Sequence, residues 1–173
     1  MAEQQAGASL GVVIMTVSDT RTGDNDTSGD TLAERAEQAG HRLIERCIVP
    51  DDIYRIRAEL SRWIADDRVE VVLTTGGTGL TGRDGTPEAI TPLLDKMIDG
   101  FGEVFRAISF DEIGTSALQS RAIAGVANGT VVFCLPGSTG ACRTGWDRLI
   151  REQLDIGNRP CNLAELMPRL RES

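Results

Sequence analysis

Strand-length apolar runs alternate with segments of helical period along this chain, and that alternation sets the first expectations. Residues 10–17 (LGVVIMTV) form a continuous apolar run, and Arg42–Val49, 69–74 and Thr130–Leu135 are of the same type. Val/Ile/Leu-rich runs suit strands covered on both faces, as in a parallel sheet. Between them, apolar residues recur every three or four positions. In 30–39, Leu32, Ala33, Ala36 and Ala39 share a face, and Gly40 supplies the stop. Ile53, Ile56, Leu60, Trp63 and Ile64 make a stripe through 52–65. Further helices are predicted over 87–97, over 102–110 with Phe105 and Ile108 inward, and over 139–154 with Trp146, Leu149, Ile150 and Leu154. Strands alternating with helices imply βαβ units. The expected fold class is α/β, a doubly wound, mostly parallel sheet with helices on both faces.

A single domain is expected over 10–156, preceded by a flexible N-terminus at 1–9. The segment 157–173 reads as an irregular tail available for oligomer contacts, because Pro160 and Pro168 break any long helix. A length of 173 residues favours one domain with a real core. The net charge of −8 argues against non-specific binding to nucleic acid or a membrane surface, both of which want basic groups. It also means that an anionic substrate needs local help from backbone amides, arginines or a metal. Cys47, Cys134, Cys142 and Cys161 are scattered without a C-x-x-C pair, and His41 is the single histidine. A structural zinc site is therefore not expected, and free thiols in a reducing cytoplasm are. Residues 1–9 do not read as a signal peptide, and no segment is long enough to span a membrane, so a cytoplasmic protein is expected.

The richest chemistry lies in 69–89, VEVVLTTGGTGLTGRDGTPEA. A strand runs into a glycine-threonine loop, then an acidic residue, then a proline-started helix with Thr86 as its N-cap. Gly76, Gly77 and Gly79 remove side chains and permit positive φ, so the turn's amides form an anion-binding concavity. Asp84 follows closely enough to hold a divalent cation against a bound phosphate. The string from Gly77 to Gly82 also fits G-x-G-x-x-G, but three residues intervene before a helix can start, whereas a dinucleotide site needs its helix among the glycines. Neither a P-loop nor a G-x-S-x-G motif is present.

Ligands of open parallel sheets sit beyond the carboxyl ends of the strands. Here those ends give Ser18-Asp19, Pro50-Asp51, Thr75-Gly76-Gly77 and Pro136-Gly137-Ser138. Two carboxylates, Asp51 and Asp84, beside an anion nest would repel the anion without a cation between them, which suggests Mg²⁺. Each has a plainer alternative: Asp51 precedes Asp52 at a helix start and is as suited to capping as to function. Ser18 and Asp19 either bind ligand or start the next turn. Ser120 and Arg121 offer a hydroxyl and a cation to a phosphate, or a solvated arginine. Asp26 and Ser28 are favoured as caps of the helix that follows.

Several motifs in order, TVSDTRTGDNDTSGD, VVLTTGGTGLTGRDGTPEA, GFGEVFR, LQSRAIAG and LPGSTGACRTGWDRLI, resemble the MoaB/Mog family of molybdenum-cofactor biosynthesis proteins. The PGSTGACRTGWD and RPCNL segments are more similar to its MoaB branch. The resemblance covers about 11–163 and implies a molybdopterin-binding α/β fold. In active members it implies adenylylation of molybdopterin by MgATP, with pyrophosphate expelled. It further implies that Asp84 holds Mg²⁺ and that Asp51 orients metal and phosphates. Gly76, Gly77, Thr78 and Gly79 would cradle phosphate; Thr75 stands at the same strand end. Ser18, Asp19, Ser120, Pro136, Gly137 and Ser138 would line the pterin and nucleotide pocket. ATP is thus the expected co-substrate, and a trimer or hexamer the expected assembly. The alternatives are a non-catalytic protein that holds molybdopterin or its precursor, and a nicotinamide oxidoreductase built on the G-x-G-x-x-G string.

Overall fold

The computed structural model describes residues 8–172, so most of the segment expected to be flexible at 1–9 lies outside the described residues. Six strands form one sheet: β1 (Gly11–Val17), β2 (Arg42–Val49), β3 (Val71–Thr75), β4 (Lys96–Met97), β5 (Ile123–Ala127) and β6 (Thr130–Leu135), ordered β2-β1-β3-β6-β5-β4. β2, β1, β3 and β6 run parallel, while β5 and β4 are antiparallel to their neighbours. The register aligns the carboxyl ends. Val17 lies opposite Val49, Thr16 opposite Thr75, and Thr75 opposite Leu135. The segments that follow therefore emerge along one edge of the sheet, where parallel folds place their ligands.

Alternate strand residues supply two cores, as a period of two requires. Val12, Ile14, Val71, Leu73, Val131, Phe133 and Leu135 pack beneath α1 (Thr27–Gln38), α4 (Asp99–Ile113) and α5 (Thr139–Gly145). Val13, Met15, Val17, Val72, Val132 and Cys134 pack beneath α2 (Ile53–Ile64) and α3 (Thr86–Ile90). The stripe Ile56, Leu60, Trp63 is fully buried in the second core, as its spacing predicts. Asp26 caps α1 by accepting from the Gly29 amide, at 3.1 Å, so the helix starts earlier than position 30. Its fully buried carboxylate also accepts from Thr16 Oγ1 and from Arg46 Nη2, each at 2.7 Å, which ties α1 to β1 and β2.

Two expectations are corrected. The helix expected over 87–97 is only α3, then a 3₁₀ turn Thr91–Leu93 and strand β4; Pro92 lacks the amide that continuation would need. Gly85, rather than Thr86, occupies the N-cap position of α3. The helix expected over 139–154 is present as one unbroken helical run, α5, a π-helical stretch Trp146–Ile150, and α6 (Arg151–Gln153). β5 was not foreseen. Its IAGVA sequence has small residues at its centre because Gly125 lies against the β4 edge, where a Cβ would come within 2.6 Å of the Lys96 carbonyl oxygen. The last segment carries α7 (Leu163–Leu166), capped by Asn162, and buries Ala164 and Met167 in the first core. Among the described residues, no helix is long and apolar enough to cross a membrane.

Candidate functional site

The turn after β3 crosses the carboxyl end of β1, and glycine is what lets it pass. Gly76 has φ +100, and a Cβ there would lie 2.2 Å from the Val17 carbonyl oxygen. At Gly77, φ is +65 and a Cβ would meet Thr86 Oγ1 at 2.2 Å. Both are positions where an L side chain is strained. Thr86 closes the turn: its hydroxyl donates to the Gly76 carbonyl at 2.9 Å and its amide to that of Gly77 at 3.0 Å. Gly76 in turn donates to Leu135. The Thr75 side chain is buried and turned inward, with its hydroxyl donating to the Pro136 carbonyl at 3.0 Å.

Asp51 and Asp52 divide their work. Asp52 caps α2 by accepting from the amides of Tyr54 and Arg55, each at 2.9 Å. Asp51 is thereby freed from capping and faces the glycine turn. Its Oδ1 is buried without a hydrogen-bond partner and lies 3.0 Å from where a Gly77 Cβ would stand. Desolvation raises the Asp51 pKa, with further upward pushes from Asp84 and Asp19; the Gly85 amide and Arg83 act against them.

Asp84 is held differently. Its Oδ2 accepts from the Thr81 amide at 2.9 Å and from the Thr81 hydroxyl at 2.5 Å. These bonds and the Gly79 amide, with Arg121 nearby, keep its carboxyl below the usual range despite some burial. The concavity expected to take a phosphate is therefore partly filled by the protein's own carboxylate. Gly77 and Thr78 remain the turn's candidate amides for an external anion. Asp19 is committed to Arg83 at 2.8 Å and accepts from the Asp51 amide at 3.0 Å, so it positions Asp51. Ser18 serves the turn, since its hydroxyl accepts from Thr20 and Arg21. Arg121 is neither a free phosphate ligand nor a solvated side chain. It donates to the carbonyls of Thr78 (3.0 Å) and Gly79 (2.6 Å) and pairs with Glu88.

Beside this ledge lies a cavity of about 430 Å³, a size suited to a small-molecule ligand. Thr78, Gly79, Ser120, Pro136, Gly137 and Ser138 line it, while Asp51 and Asp84 do not. Gly79 joins the two regions, because a Cβ there would lie 2.5 Å from Asp84 Oδ2. Ser120 Oγ is buried at the cavity wall without a partner. Ser138 caps α5 by accepting from the Ala141 amide at 3.1 Å. The far wall, from α4 and the turn Gly114–Gln119, was missed: Phe105, Ser109, Glu112, Ser116 and Gln119. Glu112 accepts from Thr144 Oγ1 at 2.8 Å, which joins α4 to α5 across the cavity. A signal did exist, since Phe105, Ser109 and Glu112 repeat at helical spacing and carry polar groups along one line of α4, from buried Phe105 and Ser109 out to exposed Glu112.

A mostly parallel sheet with a carboxylate ledge and a cavity at its strand ends defines a small-molecule-binding α/β protein. Residues 13–156 match a family model described as a probable molybdopterin binding domain. The chain belongs to the MoaB/Mog family of molybdenum-cofactor biosynthesis proteins. It is 57% identical over 151 residues to molybdenum cofactor biosynthesis protein B of Escherichia coli K12, covering 87% of this chain and 89% of that one. A crystal structure of a molybdenum cofactor biosynthesis protein B superposes with TM-score 0.88 at 43% identity, covering 98% of this chain and 100% of the other. The tungsten cofactor synthesizing protein MoaB from Pyrococcus furiosus gives TM-score 0.78 at 36% identity, covering 95% and 98%.

Proposed function

We propose that this chain acts in molybdenum-cofactor biosynthesis in the cytoplasm as a Mg²⁺-dependent molybdopterin adenylyltransferase. One observation carries the metal-dependent reading: the orphaned, buried Oδ1 of Asp51 beside the glycine turn, in a carboxyl whose pKa the negative charge of Asp84 helps to raise. A buried carboxylate oxygen without a donor is costly, and a cation is the partner that relieves it. Among the described residues no cluster of three or more acidic, histidine or cysteine side chains forms a metal cage. Two carboxylates completed by substrate phosphates are the usual provision for Mg²⁺, so the donor set fits. When bound, the ion would supply charge neutralisation at the phosphate oxygens.

The chain's own residues bind and orient. The cavity between the glycine turn and α4 takes the pterin, with Ser120 Oγ awaiting a partner. The Gly77 and Thr78 amides face the nucleotide phosphates, and Asp19 keeps the backbone of Asp51 in place. In the reaction, a terminal phosphate oxygen of molybdopterin bonds to the α-phosphorus of ATP. The bond from that phosphorus to the bridging oxygen breaks, and pyrophosphate leaves with the electron pair. The attacking oxygen is already anionic, so no protein nucleophile or general base is needed; positioning and charge stabilisation carry the rate.

The separation of cavity and carboxylates supports a second reading, a non-catalytic holder of molybdopterin, because the cavity wall is complete without Asp51 and Asp84. Incubation with molybdopterin and MgATP separates the two. The enzyme yields adenylylated pterin and pyrophosphate, and Asp84→Asn loses turnover by about 10²-fold or more while keeping pterin affinity. Pterin binding with no product from the wild type would leave only the holder.

A further inference from the structure

Arg121 is the least expected element of the site. It enters β5 from the turn Gly114–Gln119, yet its side chain reaches back to the loop after β3. Nε donates to the Thr78 carbonyl at 3.0 Å, and Nη2 to those of Gly79 at 2.6 Å and Asp84 at 3.4 Å. Nη1 pairs with the Glu88 carboxylate of α3. Three carbonyls from one loop thus converge on a single guanidinium. A trans peptide points its N–H opposite to its C=O. Drawing the Thr78 and Gly79 carbonyls toward Arg121 therefore turns the amides of Gly79 and Leu80 the other way. On that other side Asp84's carboxylate lies beside the Gly79 amide and also accepts from the Thr81 amide and hydroxyl. The loop is clamped between a cation behind it and a carboxylate in front.

We infer that Arg121 is a positioning residue that sets the shape of the glycine loop and so aims Asp84 at the metal position. The inference rests on the proposed role of Asp84, although the clamp itself can be measured without any ligand. A fixed planar fork is needed, because a lysine ammonium is a point charge that does not reproduce a donor array spanning three carbonyls. Glu88 has the supporting task of orienting the fork's outer edge.

The experiment follows amide hydrogen exchange in 77–85 for the full chain, and Mn²⁺ binding by electron paramagnetic resonance, in wild type, Arg121→Lys, Arg121→Ala and Glu88→Gln. In Arg121→Ala, exchange is expected to accelerate in 77–85 while the β1 and β3 amides keep their protection. Mn²⁺ affinity should fall about 10–100-fold, the usual loss when a residue supporting a metal ligand is removed. Arg121→Lys should recover only part of either effect, and Glu88→Gln should lie between wild type and Arg121→Ala. Turnover should show a fall in kcat with little change in KM for molybdopterin, the mark of misaimed groups rather than lost binding. Unchanged loop exchange in Arg121→Ala, or wild-type behaviour in Arg121→Lys, overturns the inference. Should Arg121→Ala unfold globally, Arg121→Lys and Glu88→Gln decide by the same criteria. Loop loosening in a protein whose wild type binds no Mn²⁺ would sustain the clamp while the metal reading fails.

Discussion

Two adjacent aspartates show how finely residue identity is spent here. Asp52 takes the amides at the start of α2, and Asp51 keeps a buried oxygen with no donor. Such a group is a stability cost, and the proposed metal role is what would retain it. Asp51's pKa is raised in the folded state, first by desolvation and then by Asp84 and Asp19. The unfolded chain therefore binds fewer protons than the folded one in the window just above pH 3.8. The cost of the carboxylate is absent at low pH, where it is protonated, and grows as pH rises through the folded pKa. Asp51→Asn removes that cost. In metal-free buffer at pH 7 its Tm should exceed that of wild type, by about 2–4 °C for each kcal/mol relieved. The difference should shrink as scanning calorimetry moves to pH 4. The same variant should lose adenylylation by about 10²–10³-fold, as when a charge-stabilising group is removed. A Tm that drops at pH 7 would mean that Asp51 is a structural anchor instead.

At the scale of elements, the glycine turn is a crossing of backbone over backbone. Gly76 passes so close to Val17 that a Cβ would sit 2.2 Å from its carbonyl oxygen, at φ +100. No side-chain rotation relieves a clash with main chain. Gly76→Ala should cost about 2–4 kcal/mol in urea unfolding, from backbone strain plus overpacking. Gly82, in the same loop, would present its Cβ to open space. Gly82→Ala should stay within about 0.5 kcal/mol of wild type. Equal effects at the two positions would show that the loop is loose enough to step aside. The G-x-G-x-x-G string ends at Gly82, but α3 starts only at Thr86, so the loop lacks the helix placement that a dinucleotide site requires.

The whole molecule presents an apolar face on the α4 side. Towards the end of α4 and the turn after it, Phe110, Ile113 and Leu118 are exposed, Leu118 to 82%. Apolar side chains gain from leaving water, and neighbouring apolar exposure marks an association surface, here against the mutual repulsion of a net charge of −8 per chain. Ile113 also lines the cavity, so this face adjoins the proposed pterin pocket. Self-association through it, into the trimer or hexamer that the family resemblance implies, would shelter that wall. Light scattering after size exclusion should give a multiple of 18.6 kDa for the wild type. Leu118→Asp should yield a monomer with unchanged far-ultraviolet circular dichroism. A monomeric wild type would remove the assembly from the account.

The parallel strands and the principal helices were legible along the chain because period and apolar content act locally. Val71–Thr75 and Ile53–Ile64 need no distant partner to be recognised. The glycine turn and the two acidic positions were legible as residue types in sequence order. Contacts between distant residues decided the rest. IAGVA becomes β5 because Gly125 fits against the β4 edge and hydrogen-bonds across the sheet. Asp52 rather than Asp51 caps α2 because only the folded chain assigns the amides. The concavity that sequence offers to a phosphate is shared with Asp84, and Arg121 holds the loop from 42 positions away. Chemical identity is written residue by residue, whereas the direction in which a donor points is settled by everything packed around it.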